Sequence, residues 1–76
     1  MIEYAQEAIM WKAVQVEMPK DGKIVLTYSP QMAEPVWMGW ADGLDWRQLS
    51  GEIMPGVTHW AELPNPPDHA WEKYQR

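Results

Sequence analysis

The residues best able to do chemistry are two histidines, His59 and His69, with the carboxylates Glu62 and Asp68 close by in sequence. Imidazole and carboxylate donors together can hold a divalent metal, but their spacing matches no metal-binding motif. His59 adjoins Trp60 on a predicted strand, where its ring is read as structural, donating one hydrogen bond; His69 is read as solvated. Asp42 and Asp45 flank one turn and could pair as acid and base, although carboxylates in that position more often fold back as Asx-turns and hold the turn itself. Ser29 and Ser50 fall in predicted loops, without the strand-turn-helix setting of a nucleophile elbow. Gly39 and Gly43 are spaced as turn residues, not as a phosphate loop. The expectation is a protein that is not an enzyme and has no catalytic, metal or cofactor site.

A binding chemistry is better represented. The chain has six Trp, three Tyr and no Phe. Trp and Arg are the side chains that most often carry an interface. The candidate partner-binding residues are Trp37, Trp40, Trp46 and Arg47 in one predicted hairpin, with Tyr4 and Trp71 near the two ends. Arg47 beside Trp46 is either a charged fork next to an aromatic face or a solvated edge residue. Trp37 and Trp40 lie on opposite faces of one predicted strand, so both are buried only if both sheet faces are covered. An open face could take a protein partner, a second copy of the chain, a sugar or a proline-rich peptide. The alternative is that the two ends of the chain cover it.

The elements that must position these residues are short. Ile2, Ala5 and Ile9 share a helical stripe, and the helix-favouring composition of Met1 to Met10 predicts a short N-terminal helix. A helix of that length must dock to persist. From Trp11 to Glu17 the pattern is ambiguous: Trp11, Val14 and Met18 recur at helical spacing, while Val14 and Val16 alternate as in a strand. Pro19 and Asp21-Gly22 then punctuate the chain. Residues 24–28 read as the clearest strand, and 36–40 as a second with Val36, Met38 and Trp40 on one face. Ala41-Asp42-Gly43 reads as a turn into a third short strand, Leu44 to Trp46, forming a hairpin. Gln48 to Pro55 reads as an irregular link. Val57 to Ala61 is the last strand, with Val57, His59 and Ala61 on one face and Thr58 and Trp60 on the other. Pro64, Pro66 and Pro67 end regular pairing. That arm is either a polyproline ligand or a brace packed back on the Trp side chains.

Size and charge limit the rest. Seventy-six residues make one domain, and a chain this small buries only roughly 60% of its unfolded surface. Cysteine is absent, so there is no disulfide framework and no thiolate site. Glu3 and Glu7 stand where a signal peptide carries Lys or Arg, and no apolar window approaches a membrane span. These features predict a soluble, cytoplasmic protein with no membrane partner. The net charge of −5 comes from 11 acids against 6 bases spread along the chain, which disfavours direct nucleic-acid binding. Mimicry of nucleic acid by an acidic surface needs denser carboxylates than these.

Two runs carry a family resemblance. Trp11, Val14, Met18 and Pro19, followed by Asp21-Gly22 and Val25-Leu26-Thr27-Tyr28, match the opening pattern of the family catalogued as Domain of Unknown Function 551, with Met18 in place of its usual Leu. Val57-Thr58-His59-Trp60, then Leu63-Pro64 and Pro66-Pro67, resemble the run on which that family closes. The similarity covers about residues 11–67, with 31–55 only loosely similar. It implies a phage or prophage origin and a small, mostly β domain, and it brings no catalytic residues. The expected architecture is α+β, mostly β: an antiparallel sheet of three to four strands with a short N-terminal helix. It is organised as a helical extension over 1–10, one domain over 11–67 and a tail over 68–76. The expected role is that of a phage or prophage accessory protein that binds and modulates a host or phage protein, including inhibition of a host defence or regulatory complex.

Overall fold

The structure, a computed structural model, describes residues 8–65. Five strands follow in chain order: β1 (Lys12–Ala13), β2 (Val25–Tyr28), β3 (Val36–Asp42), β4 (Asp45–Gln48) and β5 (His59–Ala61). They form one antiparallel sheet in the order β1-β5-β2-β3-β4. β2 and β3 pair Val25 with Gly39 and Tyr28 with Val36. β3 and β4 pair as a hairpin closed by Gly43-Leu44 between Asp42 and Asp45, and Gly43 takes the positive φ of 64° that this turn requires.

The last strand lies inside the sheet. β5 pairs with β2 on one side, setting Thr27 opposite Trp60, and with β1 on the other, setting Lys12 opposite Trp60. Two further backbone bonds extend these ladders, from Thr58 N–H to the Tyr28 carbonyl (2.9 Å) and from Val14 N–H to the Thr58 carbonyl (3.0 Å).

These pairings correct the expected architecture. The sheet has five strands, not three to four, and there is no helix among the described residues. The added strand is β1, in the segment whose pattern was ambiguous. Its helical spacing gives way because β5 offers a ladder there, and pairing satisfies backbone groups that a short undocked helix would leave to water. Of the predicted N-terminal helix, Ala8 to Met10 hold no regular structure and are exposed, Met10 by 74%. The remainder of that prediction, over residues 1–7, lies outside the described residues, as does the tail from 66 onward.

The pleat divides the sheet into two unlike faces. On one, Val25, Thr27, Ala41, Trp46 and Trp60 are buried, with Met54 from the segment after β4 packed over them. Val14, Met32 and Val57 close the edges of this core from three different loops. Its polar groups are satisfied. The Trp60 indole N–H donates to the Glu17 carbonyl at 2.7 Å, and the Ser29 hydroxyl donates to the Pro55 carbonyl at 2.5 Å. The core is therefore made by loops folding onto one side of a single sheet. The second side has no such cover among the described residues.

Candidate binding face

On that second side the register sets Ala13, His59, Tyr28 and Val36 in one row across β1, β5, β2 and β3. A second row runs Ala61, Leu26 and Met38, and a third pairs Trp40 with Arg47. Continuing the β1–β5 register places Trp11 beside Ala61. Ala61 has only a methyl group, so the Trp11 ring reaches over β5 and meets Tyr28 on the far side. The two ring centroids are 6.3 Å apart with planes at 65°, and Ala61 is fully buried.

Tyr28 also meets His59 edge-on, at 6.1 Å and 62°. Trp11, Tyr28, Val36 and His59 thus line an open cleft of about 400 Å³. Its rim is apolar and exposed: Trp11 by 38%, Tyr28 by 36%, Val36 by 50% and Met38 by 39%. The His59 ring pairs its Nδ1 with the Thr58 hydroxyl at 2.8 Å, which fixes the imidazole as one wall of the cleft.

The backbone edges of the sheet are short. Beyond β4 the chain turns back, so that Gln48 N–H donates to the Glu52 carbonyl and Met54 N–H to the Trp46 carbonyl, both at 2.8 Å. At the other edge β1 contributes two residues before Val16 and Glu17 donate to the Ala13 carbonyl and turn the chain away. β3 keeps one free stretch, Val36 to Met38, which β4 does not reach.

The residues singled out in the sequence are distributed unevenly over this arrangement. Trp40 lies on the open face, half-buried beside Arg47. Trp37 lies on the loop-covered side yet is 45% exposed, since its neighbours there stop short of it. Trp46 is a core residue, 5% exposed, with no surface to offer a partner. Arg47 is held within the hairpin: its Nε donates to Asp42 Oδ2 at 2.7 Å and its Nη1 to the Gly51 carbonyl at 2.8 Å. The guanidinium braces β4 and the segment behind it. Tyr4 and Trp71 lie outside the described residues.

Sequence reasoning missed Trp11, Tyr28, Val36 and His59 as a group. Strand alternation set His59 on the face opposite Trp60 and so contained a signal. The meeting of Trp11 with Tyr28 depends on β5 entering between β1 and β2, which no local pattern encodes. Among the described residues, no three or more His, Asp or Glu converge as a metal site, and no helix is long and apolar enough to cross a membrane.

Comparison with curated proteins finds no match, and comparison with solved structures finds none either. A model of a protein family of unknown function, DUF551, matches residues 10–68. That span runs from just before Trp11, takes in all five strands and passes the proline arm. The chain belongs to the DUF551 family.

Proposed function

We propose that this chain is a non-enzymatic binding protein that engages another protein through the bare face of its sheet. The observation that carries the reading is the contrast between the two faces. Three loops fold onto one side and bury Trp46 and Trp60 there, while Trp11, Tyr28, Val36 and Met38 stay exposed together on the other. An exposed apolar patch rimmed by polar groups marks an interaction site. The candidate catalytic groups are held in structural pairs: His59 with Thr58, and Asp42 with Arg47. That arrangement favours binding over acid–base chemistry.

The family resemblance suggests the setting. The role proposed is a phage or prophage accessory protein, acting in the host cytoplasm, that binds a host or phage protein and modulates it. Interference with a host defence or regulatory complex is its most specific form. Quantitative pull-down from a bacterial host lysate tests this, using the tagged chain and its Val36→Glu variant, which places a charge on the cleft rim. A protein captured by the first and lost by the second supports the reading. Equal capture by both removes the face from the argument.

A further inference from the structure

Resting on that reading, we infer that the cleft between Trp11, Tyr28, Val36 and His59 takes an extended, proline-bearing segment of a partner protein. Four observations converge on this ligand class. The first is the ring geometry. Trp11 and Tyr28 stand at 65° and Tyr28 and His59 at 62°, with centroids about a ring's width apart. Both contacts are edge-to-face, so the rings stand steeply to one another. The cleft they line is aromatic and apolar, the kind of surface on which proline-rich segments dock.

The second is the polar inventory. His59 Nδ1 is engaged by Thr58, which leaves the Trp11 indole N–H, the Tyr28 hydroxyl and the His59 Nε2 as the side-chain polar groups of the lining residues. An indole N–H, a phenol hydroxyl and an imidazole nitrogen can orient peptide carbonyls. A sugar presents several hydroxyls and would leave most of them unpaired. The third is the shortness of the free sheet edges: β1 has two residues and β3 leaves only Val36 to Met38 beyond its pairing with β4, so an added strand would find at most three residues to pair with. A ligand on this face must be read through its side chains while its own backbone has no sheet partner. Polyproline II is the extended form that meets this condition, since its backbone makes no internal bonds and stays solvated.

The fourth is area. With half-buried Leu26, Trp40 and His59 added to the exposed rim residues, the face offers on the order of 400 Å². A stable interface between folded partners needs about 800 Å² on each side. The face is too small to hold a second copy or another globular surface unaided, and it matches a few residues of extended chain.

The test is an NMR titration of the full chain. The probes are a capped octaproline, the octamer with alternate prolines replaced by alanine, and cellohexaose. Sedimentation velocity over a hundredfold range of protein concentration runs alongside. Octaproline is expected to shift the Trp11 indole N–H and the Tyr28 and His59 amides saturably, binding at least tenfold tighter than the alanine-substituted octamer. Val36→Glu, on the exposed rim and clear of the core, is expected to weaken it at least tenfold. Trp11→Ala should do the same, and Trp37→Ala, on the other side of the sheet, should leave it within twofold.

Octaproline binding no tighter than the alanine octamer overturns the proposal, as do the same shifts evoked by cellohexaose. A concentration-dependent dimer that Val36→Glu dissolves gives the cleft to a second copy and overturns it too. The broader reading is scored separately. If octaproline fails while lysate capture still depends on Val36, the ligand class is wrong and the binding face stands; if capture is indifferent to Val36, both fall.

Discussion

Gly39 is where the sheet and its cover are packed most closely, and Gly39→Ala is the sharpest test of that packing. A methyl group built there would overlap the Arg47 backbone carbonyl oxygen and lie 2.7 Å from Met54 Sδ. The Sδ belongs to a flexible side chain, but Met54 is 3% exposed and accepts the Thr27 hydroxyl, so it has little room to withdraw. The Arg47 oxygen is backbone in the paired strand, so relief there means moving β4 away from β3. Overpacking of this kind costs about 1–3 kcal/mol. Loss of unfolded-state freedom on replacing Gly returns about 0.4–1 kcal/mol. Because the shortest clash is with backbone, the overpacking cost lies at its upper end, and the net expectation is about 2 kcal/mol of destabilisation. With a urea m-value of about 1 kcal/mol/M for a chain of this size, the unfolding midpoint followed by far-UV circular dichroism should fall by about 2 M. Gly43→Ala is the control. It has open space for a methyl group but a φ of 64°, so its cost is about 1 kcal/mol of backbone strain alone. In a double-mutant cycle, Met54→Ala should cost less in the Gly39→Ala background than alone, by about 1 kcal/mol. A midpoint for Gly39→Ala within 0.3 M of the parent (about 0.3 kcal/mol), or above that of Gly43→Ala, would refute the close-packing argument.

Three further outcomes follow from named contacts. Trp60→Phe removes the donor to the Glu17 carbonyl and part of a side chain that is 2% exposed; a loss of about 2 kcal/mol is expected in urea unfolding, and a loss below about 0.5 kcal/mol would contradict its place as the central anchor. Ser29→Ala strips the bond to the Pro55 carbonyl and the one accepted from Gln31 N–H, and calorimetry should show about 1–3 kcal/mol of destabilisation; an unchanged Tm would mean that loop 29–35 is held by other contacts. Arg47→Leu removes a largely solvent-screened pair with Asp42, worth about 0.2–1 kcal/mol, along with the bond to the Gly51 carbonyl. Its clearest readout is hydrogen exchange, which should accelerate at the Gly51 and Met54 amides and stay unchanged at Thr58.

The parts of this fold legible in the sequence are those whose information is local. Val25 to Tyr28 and Val36 to Trp40 alternate within themselves, and Gly43 marks a hairpin whose strands adjoin in the chain. β1 was not legible because Lys12 and Ala13 are a strand only through Trp60 and His59, far along the sequence. The same long-range pairing hid the cleft, since Trp11 meets Tyr28 only across β5. Trp46 was expected at a contact surface and lies in the core instead. Its burial depends on the segment after β4 turning back to deliver Met54, and the residues from Gln48 to Pro55 carry no periodic pattern that would announce it. Arg47 next to Trp46 reads as a charged fork or a solvated edge residue, and neither reading anticipates the Gly51 carbonyl that occupies it, because that carbonyl arrives with the same turn.

The placement of β5 ties fold and proposed function together. Because this strand has partners on both sides, its backbone is fully used, and its only variable output is what each face receives. Trp60 goes inward, where its indole N–H fastens the loop before β2 and the Lys12 ammonium lies 4.7 Å from its ring. His59 goes outward as a wall of the cleft, and Ala61 goes outward as the gap that Trp11 spans. A larger residue at position 61 would stand where the Trp11 ring crosses and would part it from Tyr28, leaving the core face untouched. One three-residue strand thus sets the loop-covered core and the shape of the bare face independently. A sequence run that identifies the family through Trp60 therefore also writes, one residue to either side, the geometry of the surface proposed to bind.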